Sequence, residues 1–270
     1  IILRDEKLLD DRNWMHFLGT AQLDWSCYLT SIQRQVRKHV NENFTISFDC
    51  ASPFIATAHG LVYTNAQHTN KRWSVIMDKA PDNKSLSGRH DIPFPFESEV
   101  GRRLSIADIC HYAPGMLNKV GKEGKTSWDS FGYALMMAHN TYCHIVAVQR
   151  ANNLMDIETK KAQPDWRYWK KVKDNDKSDE YSEWVPRNIL YFDRFVEELF
   201  QSETPMQMID DAKPMLNSMM GMRLRGGNAS NTFNNLFDVE ETLHGLGVED
   251  LNDPDDEALL ELEAQFKDQQ

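Results

Sequence analysis

Two periodicities alternate along the first 160 residues. Trp14-Met15-His16-Phe17-Leu18 is a short apolar run stopped by Gly19, which predicts a buried strand. Asp24 is placed to cap a helix from Trp25 to about Val40, with Cys27, Leu29, Ile32 and Val36 near one face and Arg34, Arg37 and Lys38 on the other. Asn41-Glu42-Asn43 reads as a turn. Phe44 to Cys50 is rich in strand formers and is closed by Pro53. Strand, helix, strand at this spacing is a βαβ unit, so the two strands run parallel. Gly19 and Asp49 then lie at the C-terminal ends of the strands, where parallel α/β folds place their chemistry.

Residues 59–104 are broken by Gly60, Pro81, Gly88, Pro93 and Pro95, with short strands expected near 61–64 and 73–77. Helices are expected over 105–118 and 128–155. The second carries Phe131, Leu135, Met136, His139, Tyr142, Cys143 and Val146 at helical spacing. Residues 162–183 are polar, with Trp166, Tyr168 and Trp169 set among Arg167, Lys170, Lys171 and Lys173. Ile189–Phe200 is amphipathic. Residues 201–237 are rich in Met, Asn and Gly, and residues 238–268 hold 12 acidic residues against one lysine. Such a tail is usually solvated. The expected organisation is a folded part over 1–158, a helical extension over 159–237 and an acidic, flexible tail over 238–270.

Composition adds a charge asymmetry. Residues 1–150 carry 17 Lys/Arg against 15 Asp/Glu, and residues 151–270 carry 13 against 26. The net charge of −11 therefore belongs to the second half and does not argue against nucleic-acid binding by the first. The four cysteines, Cys27, Cys50, Cys110 and Cys143, form no C-x-x-C pair. They suggest a reducing, cytoplasmic setting rather than a disulfide framework. No apolar run approaches the ~20 residues that span a bilayer, and no leader segment is evident, so no membrane partner is expected.

Two stretches resemble one family. Phe48-Asp49-Cys50-Ala51-Ser52-Pro53 followed by Gly60-Leu61-Val62-Tyr63-Thr64 is similar to the F-D-C-x-x-P and G-x-x-[FY]-T motifs of tRNA-guanine transglycosylases, with the same Asp-to-Gly spacing. Leu18-Gly19 matches the end of that family's preceding L-M-G strand. His139-Asn140 with Tyr142 and Arg150 resembles its last helix. The likeness covers roughly residues 14–155. It implies an α/β fold, the C-terminal part of a TIM-type (β/α)8 barrel with a helical extension. It also implies that the first six βα units come from a segment before Ile1 or from a partner chain.

The departures carry information too. Where bacterial and archaeal members bind zinc through C-x-C-x-x-C, this chain reads Ser105-Ile106-Ala107-Asp108-Ile109-Cys110, so no metal is expected. Pro53-Phe54-Ile55-Ala56-Thr57-Ala58-His59-Gly60 lacks both arginines with which the family grips the tRNA anticodon loop. That shifts the expected substrate from tRNA toward DNA, as in phage and bacterial relatives that insert 7-deazaguanine into DNA. A phage-encoded chain would act in the host cytoplasm.

The resemblance makes Asp49 the covalent nucleophile of a base exchange that needs no cofactor. A carboxylate can attack C1′ and hold the ribose while the bases swap, and the target base must leave the stack to reach it. Leu18, Gly19 and Phe48 would wall the base pocket, with glycine allowing close approach of a flat ring. His59 and Gly60 would contact substrate. Arg167, Trp169, Lys170 and Lys171 would grip phosphates and stack on bases, unless that cluster simply docks a helix. A strand-end Asp also serves to cap a turn, and His139 and Asn140 suit core packing better than reaction. The rival expectation is a catalytically inactive binding or partner subunit of the same fold. A phage structural or scaffold protein is a third, resting only on the Met-rich segment and the acidic tail.

Overall fold

The computed structural model of the chain describes residues 1–71, 73–81, 84–86, 88–110, 130–161, 164–169 and 182–219. They divide into two compact units. The first comprises residues 1–50, 67–74 and 148–219; the second comprises 51–66 and 75–147.

The first unit opens with α1 (Ile2–Asp5), β1 (Trp14–Phe17), α2 (Leu23–His39) and β2 (Thr45–Phe48). β1 and β2 pair in parallel, Trp14 opposite Thr45 through Phe17 opposite Phe48, with α2 as the crossover. The expected βαβ unit is present. α2 starts a little earlier than its pattern suggested. Gln22 is the N-cap, and Asp24 sits in the first turn, accepting from the Trp25 N–H at 2.9 Å. An acid there and Arg37, Lys38 and His39 in the last turn both complement the helix dipole. Along β1, exposed Trp14 and His16 alternate with half-buried Met15 and Phe17, the period of a strand with one covered face. Met15 and Ile46 pack on the covered side around Leu9, Val36 and Phe44.

Two later helices, α5 (Arg187–Gln201) and α6 (Pro205–Met219), complete this core. Tyr28 of α2 meets Phe192 of α5 at 4.6 Å between ring centroids, and Ser31 donates to Asp193 Oδ1 at 2.5 Å. Phe195, Val196 and Leu199 of α5 bury against Ala212 and Met215 of α6 and against Trp166. Each such buried apolar side chain contributes roughly 1.5–3 kcal/mol. Among the described residues no helix is long and apolar enough to cross a membrane.

The second unit holds α3 (Ser52–Ala58), most of β3 (Leu61–His68) and β4 (Trp73–Lys79), and the first part of α4 (Ser130–Lys161). Its core gathers Val62, Ala80, Phe94, Ile106, Ile109, Cys110 and Met136. Asn140, fully buried on α4, fastens this unit. Its amide oxygen accepts from the Tyr63 N–H at 2.8 Å. Its NH2 donates to the carbonyls of Leu61 at 3.0 Å and Pro53 at 3.2 Å, and to Thr57 Oγ1 at 2.9 Å. The neighbouring His139 is satisfied as well. Nε2 donates to the Tyr63 carbonyl at 2.8 Å, and Nδ1 accepts from Ser98 Oγ at 2.7 Å, which itself accepts from the Gly101 N–H. Gly101 is required there, because a Cβ would lie 2.6 Å from the Phe96 carbonyl oxygen.

The expectation of a TIM-type barrel is corrected. The described residues form two two-stranded sheets, β1-β2 and β3-β4, and no barrel. β3 does not extend the parallel pair. Only a few residues separate it from β4, and closing that short loop costs far less chain entropy than a distant parallel pairing. The described part of the expected 105–118 helix is a 3₁₀ turn, Ile106–Asp108, held by a Ser105/Asp108 capping box. α6 lies within the stretch expected to form a helical extension, 159–237. Pro205 at its first position suits a helix start.

Candidate functional site

Asp49 lies one residue beyond β2, where the parallel pair ends. The main chain continues the ladder past both strands. The Asp49 N–H donates to the Phe17 carbonyl at 3.3 Å, and the Asp49 carbonyl accepts from the Thr20 N–H at 2.8 Å. Gly19 turns the chain between them with φ +70°, a conformation that suits glycine. The turn aims the Gly19 N–H at Asp49 Oδ1, 3.4 Å away. The Asp49 side chain is 62% exposed, so solvent and solutes reach it. Among the described residues Oδ1 alone has partners; Oδ2 has none.

The register places four further groups on the same face. Trp14 faces Thr45 and His16 faces Ser47, and all four alternate outward with Asp49. The Trp14 indole N–H donates to Ser47 Oγ at 2.7 Å, and His16 Nδ1 lies 2.8 Å from that same oxygen. His16 Nε2 is 3.7 Å from Asp49 Oδ1. Sequence reasoning passed over Trp14, His16 and Ser47. Counting back from Asp49 in twos and crossing to the register partner would have found them.

Of the other predicted site residues, Leu18 and Phe48 sit with Gly19 and Asp49 at this edge. Leu18 is 78% exposed, and Phe48 is the half-buried last residue of β2. His59 and Gly60 belong to the second unit, where they terminate α3. Gly60 takes φ +68° and its carbonyl accepts from the Ala80 N–H at 2.7 Å, an ordinary left-handed helix stop. Arg167 is committed to two carboxylates, Asp165 at 3.1 Å and Glu198 at 2.9 Å, and its guanidinium lies over the Trp166 ring. Trp169 packs at the edge of the α5–α6 core. Lys170, Lys171 and the acidic tail fall outside the described residues. Among the described residues no group of three or more His, Cys, Asp or Glu side chains is arranged to hold a metal ion.

The second unit carries a pH dependence. Burial pushes His59, His139 and His144 below the usual histidine range, with the Tyr63 carbonyl opposing that shift at His139. Unfolded histidines titrate near ~6.5. Below that pH the unfolded chain binds protons that the folded unit resists, so stability is full above the unfolded value and falls as the pH drops toward the folded ones. Amide exchange at Leu61, Val62 and Tyr63 is expected to report a constant opening free energy from pH 8 to about 7, then a decline below about 6.5. A flat profile down to pH 5 contradicts this assignment.

No protein-family model, curated protein or solved structure matches this chain.

Proposed function

We propose that the chain catalyses base exchange in nucleic acid, replacing guanine by a 7-deazaguanine in DNA through a covalent bond between Asp49 and the sugar. The observation that carries this reading is the Asp49 carboxylate itself. It is exposed at the C-terminal edge of a parallel βαβ unit, with one oxygen held by a backbone N–H and the other engaged by no group among the described residues. Its motif, Phe48-Asp49-Cys50-Ala51-Ser52-Pro53, resembles that of the tRNA-guanine transglycosylases.

The chemistry balances without a cofactor. Oδ2 bonds to C1′ as the C1′–N9 bond breaks, and that electron pair leaves with guanine, which takes a proton from solvent. The incoming base loses its N9 proton, N9 bonds to C1′, and the carboxylate departs. No phosphodiester is cut. DNA is preferred over tRNA because the segment Pro53–Gly60 carries no arginine to grip an anticodon loop. The reading places the protein in the cytoplasm, with its nucleic acid.

The same missing arginines favour a second reading, a binding or partner subunit without activity. One experiment separates the two. The full-length protein is incubated with labelled 7-deazaguanine and either duplex DNA or tRNA. Label entering DNA, with guanine released in equal amount and a denaturant-stable protein–DNA adduct, is the expected result. Binding of DNA with no label incorporated selects the second reading.

A further inference from the structure

The geometry assigns His16 as the positioning residue for Asp49, with its tautomer set between the Asp49 carboxylate at Nε2 and the Ser47 hydroxyl at Nδ1; the assignment rests on the base-exchange reading above. The acceptor-only carboxylate facing Nε2, together with the serine hydroxyl beside Nδ1, carries it. An indole N–H can only donate, so Ser47 Oγ accepts from Trp14. The serine hydroxyl has a single hydrogen, and the ring nitrogen beside it is His16 Nδ1 at 2.8 Å. Oγ has a second lone pair, so the serine alone admits either tautomer. The Asp49 carboxylate opposite Nε2 can only accept, which selects the neutral ring with its hydrogen on Nε2 and with Nδ1 taking the serine hydrogen. Nε2 is the nitrogen that faces Asp49 Oδ1, at 3.7 Å. If the ring becomes an imidazolium, Nε2 still carries a hydrogen toward the carboxylate.

Two donors thus converge on one oxygen. The Gly19 N–H donates to Oδ1, His16 Nε2 lies 3.7 Å from the same oxygen, and no described group engages Oδ2. The carboxylate is presented with a fixed and a free oxygen, and Oδ2 is the attacking atom. The histidine contact exceeds hydrogen-bond length here. Such contacts commonly shorten when substrate arrives and water leaves. The departing base takes its proton from solvent, and the neutral His16 ring cannot supply it, because donation from Nε2 of that tautomer would leave an imidazolate. Its work is to hold Oδ1 and to keep the oxygens distinct.

Ser47 is only half-buried, so Ser47→Ala leaves the fold intact, which circular dichroism checks. Without the hydroxyl the ring is free to place its hydrogen on Nδ1 and turn the Nε2 lone pair toward the carboxylate. Expected are a fall of about ten- to a hundredfold in kcat with KM changed less than about twofold, and restoration by Ser47→Thr, which keeps a hydroxyl. His16→Phe falls at least as far as Ser47→Ala. Nitrogen NMR of histidine-labelled protein gives a readout that needs no activity. It should show His16 protonated at Nε2 in the wild type, with Nδ1–H populated in Ser47→Ala. A wild-type ring protonated at Nδ1 alone overturns the assignment. So does unchanged kcat in Ser47→Ala and His16→Phe when the wild type is active and Asp49→Asn is not. A wild type that exchanges no base rejects the base-exchange reading instead, and the NMR result then still decides the tautomer.

Discussion

Asp49→Asn is expected to abolish base exchange and leave stability unchanged. The amide is nearly isosteric with the carboxylate, and its oxygen can still accept from the Gly19 N–H. The side chain is mostly exposed, so no buried network is broken, and the change in unfolding free energy should stay within about 0.5 kcal/mol. What the amide cannot do is act as an anionic nucleophile or offset positive charge at C1′ as the glycosidic bond opens. A drop of at least about a thousandfold in the initial rate of label incorporation is expected, with loss of the protein–DNA adduct. Near-normal turnover by the variant would remove Asp49 from the chemistry. A large loss of stability would show that the carboxylate had been read as reactive when it was holding the fold.

The contrast between these outcomes matters because the first strands were legible in the sequence for reasons that do not depend on function. Met15, Phe17 and Ile46 alternate with Trp14, His16 and Ser47, and α2 carries its buried residues at helical spacing. Those are local signals, and they gave the βαβ unit with Asp49 at its open end. The number of strands is not a local signal. A parallel pair reads the same whether it stands alone or continues into a larger sheet, so the barrel rested on resemblance, and the described β3 and β4 form their own sheet. The strand expected near 61–64 is the start of β3, where Leu61, Val62 and Tyr63 are all buried before alternation begins. Within the expected helical extension the bounds of α6 were not legible. Pro214 inside it argues against helix, yet Ala212 and Met215 are buried on either side of it, and that packing decides the segment. At the site, the resemblance supplied Asp49 and Gly19. The Trp14–Ser47–His16 chain needed the register, because residues 31 and 33 positions apart become neighbours only once the strands are aligned.

Asn140→Ala is expected to be the most damaging single change in the second unit. Its amide serves four partners on two elements: Pro53 and Thr57 of α3, then Leu61 and Tyr63 where β3 begins. Truncation removes the side-chain acceptor of the Tyr63 N–H and a donor to the Leu61 carbonyl in a site that water does not reach, while the Pro53 carbonyl keeps the Thr57 hydroxyl at 3.0 Å. Each buried group so stranded costs about 1–3 kcal/mol, and a cavity adds to the loss. A destabilisation of about 3–5 kcal/mol is expected, read as a lower denaturant midpoint with fast exchange of the Tyr63 amide. Asn140→Asp sharpens the test, since it keeps the volume. A carboxylate could still accept from Tyr63, but it would face two carbonyl oxygens with no hydrogen to offer, so it should be at least as destabilising as alanine. If aspartate were tolerated while alanine was not, volume rather than donor placement would be the role of this residue. The same amide closes the helix that begins directly after Asp49-Cys50-Ala51, so its sequence neighbour His139 and the Gly60 stop should lose protection together with it.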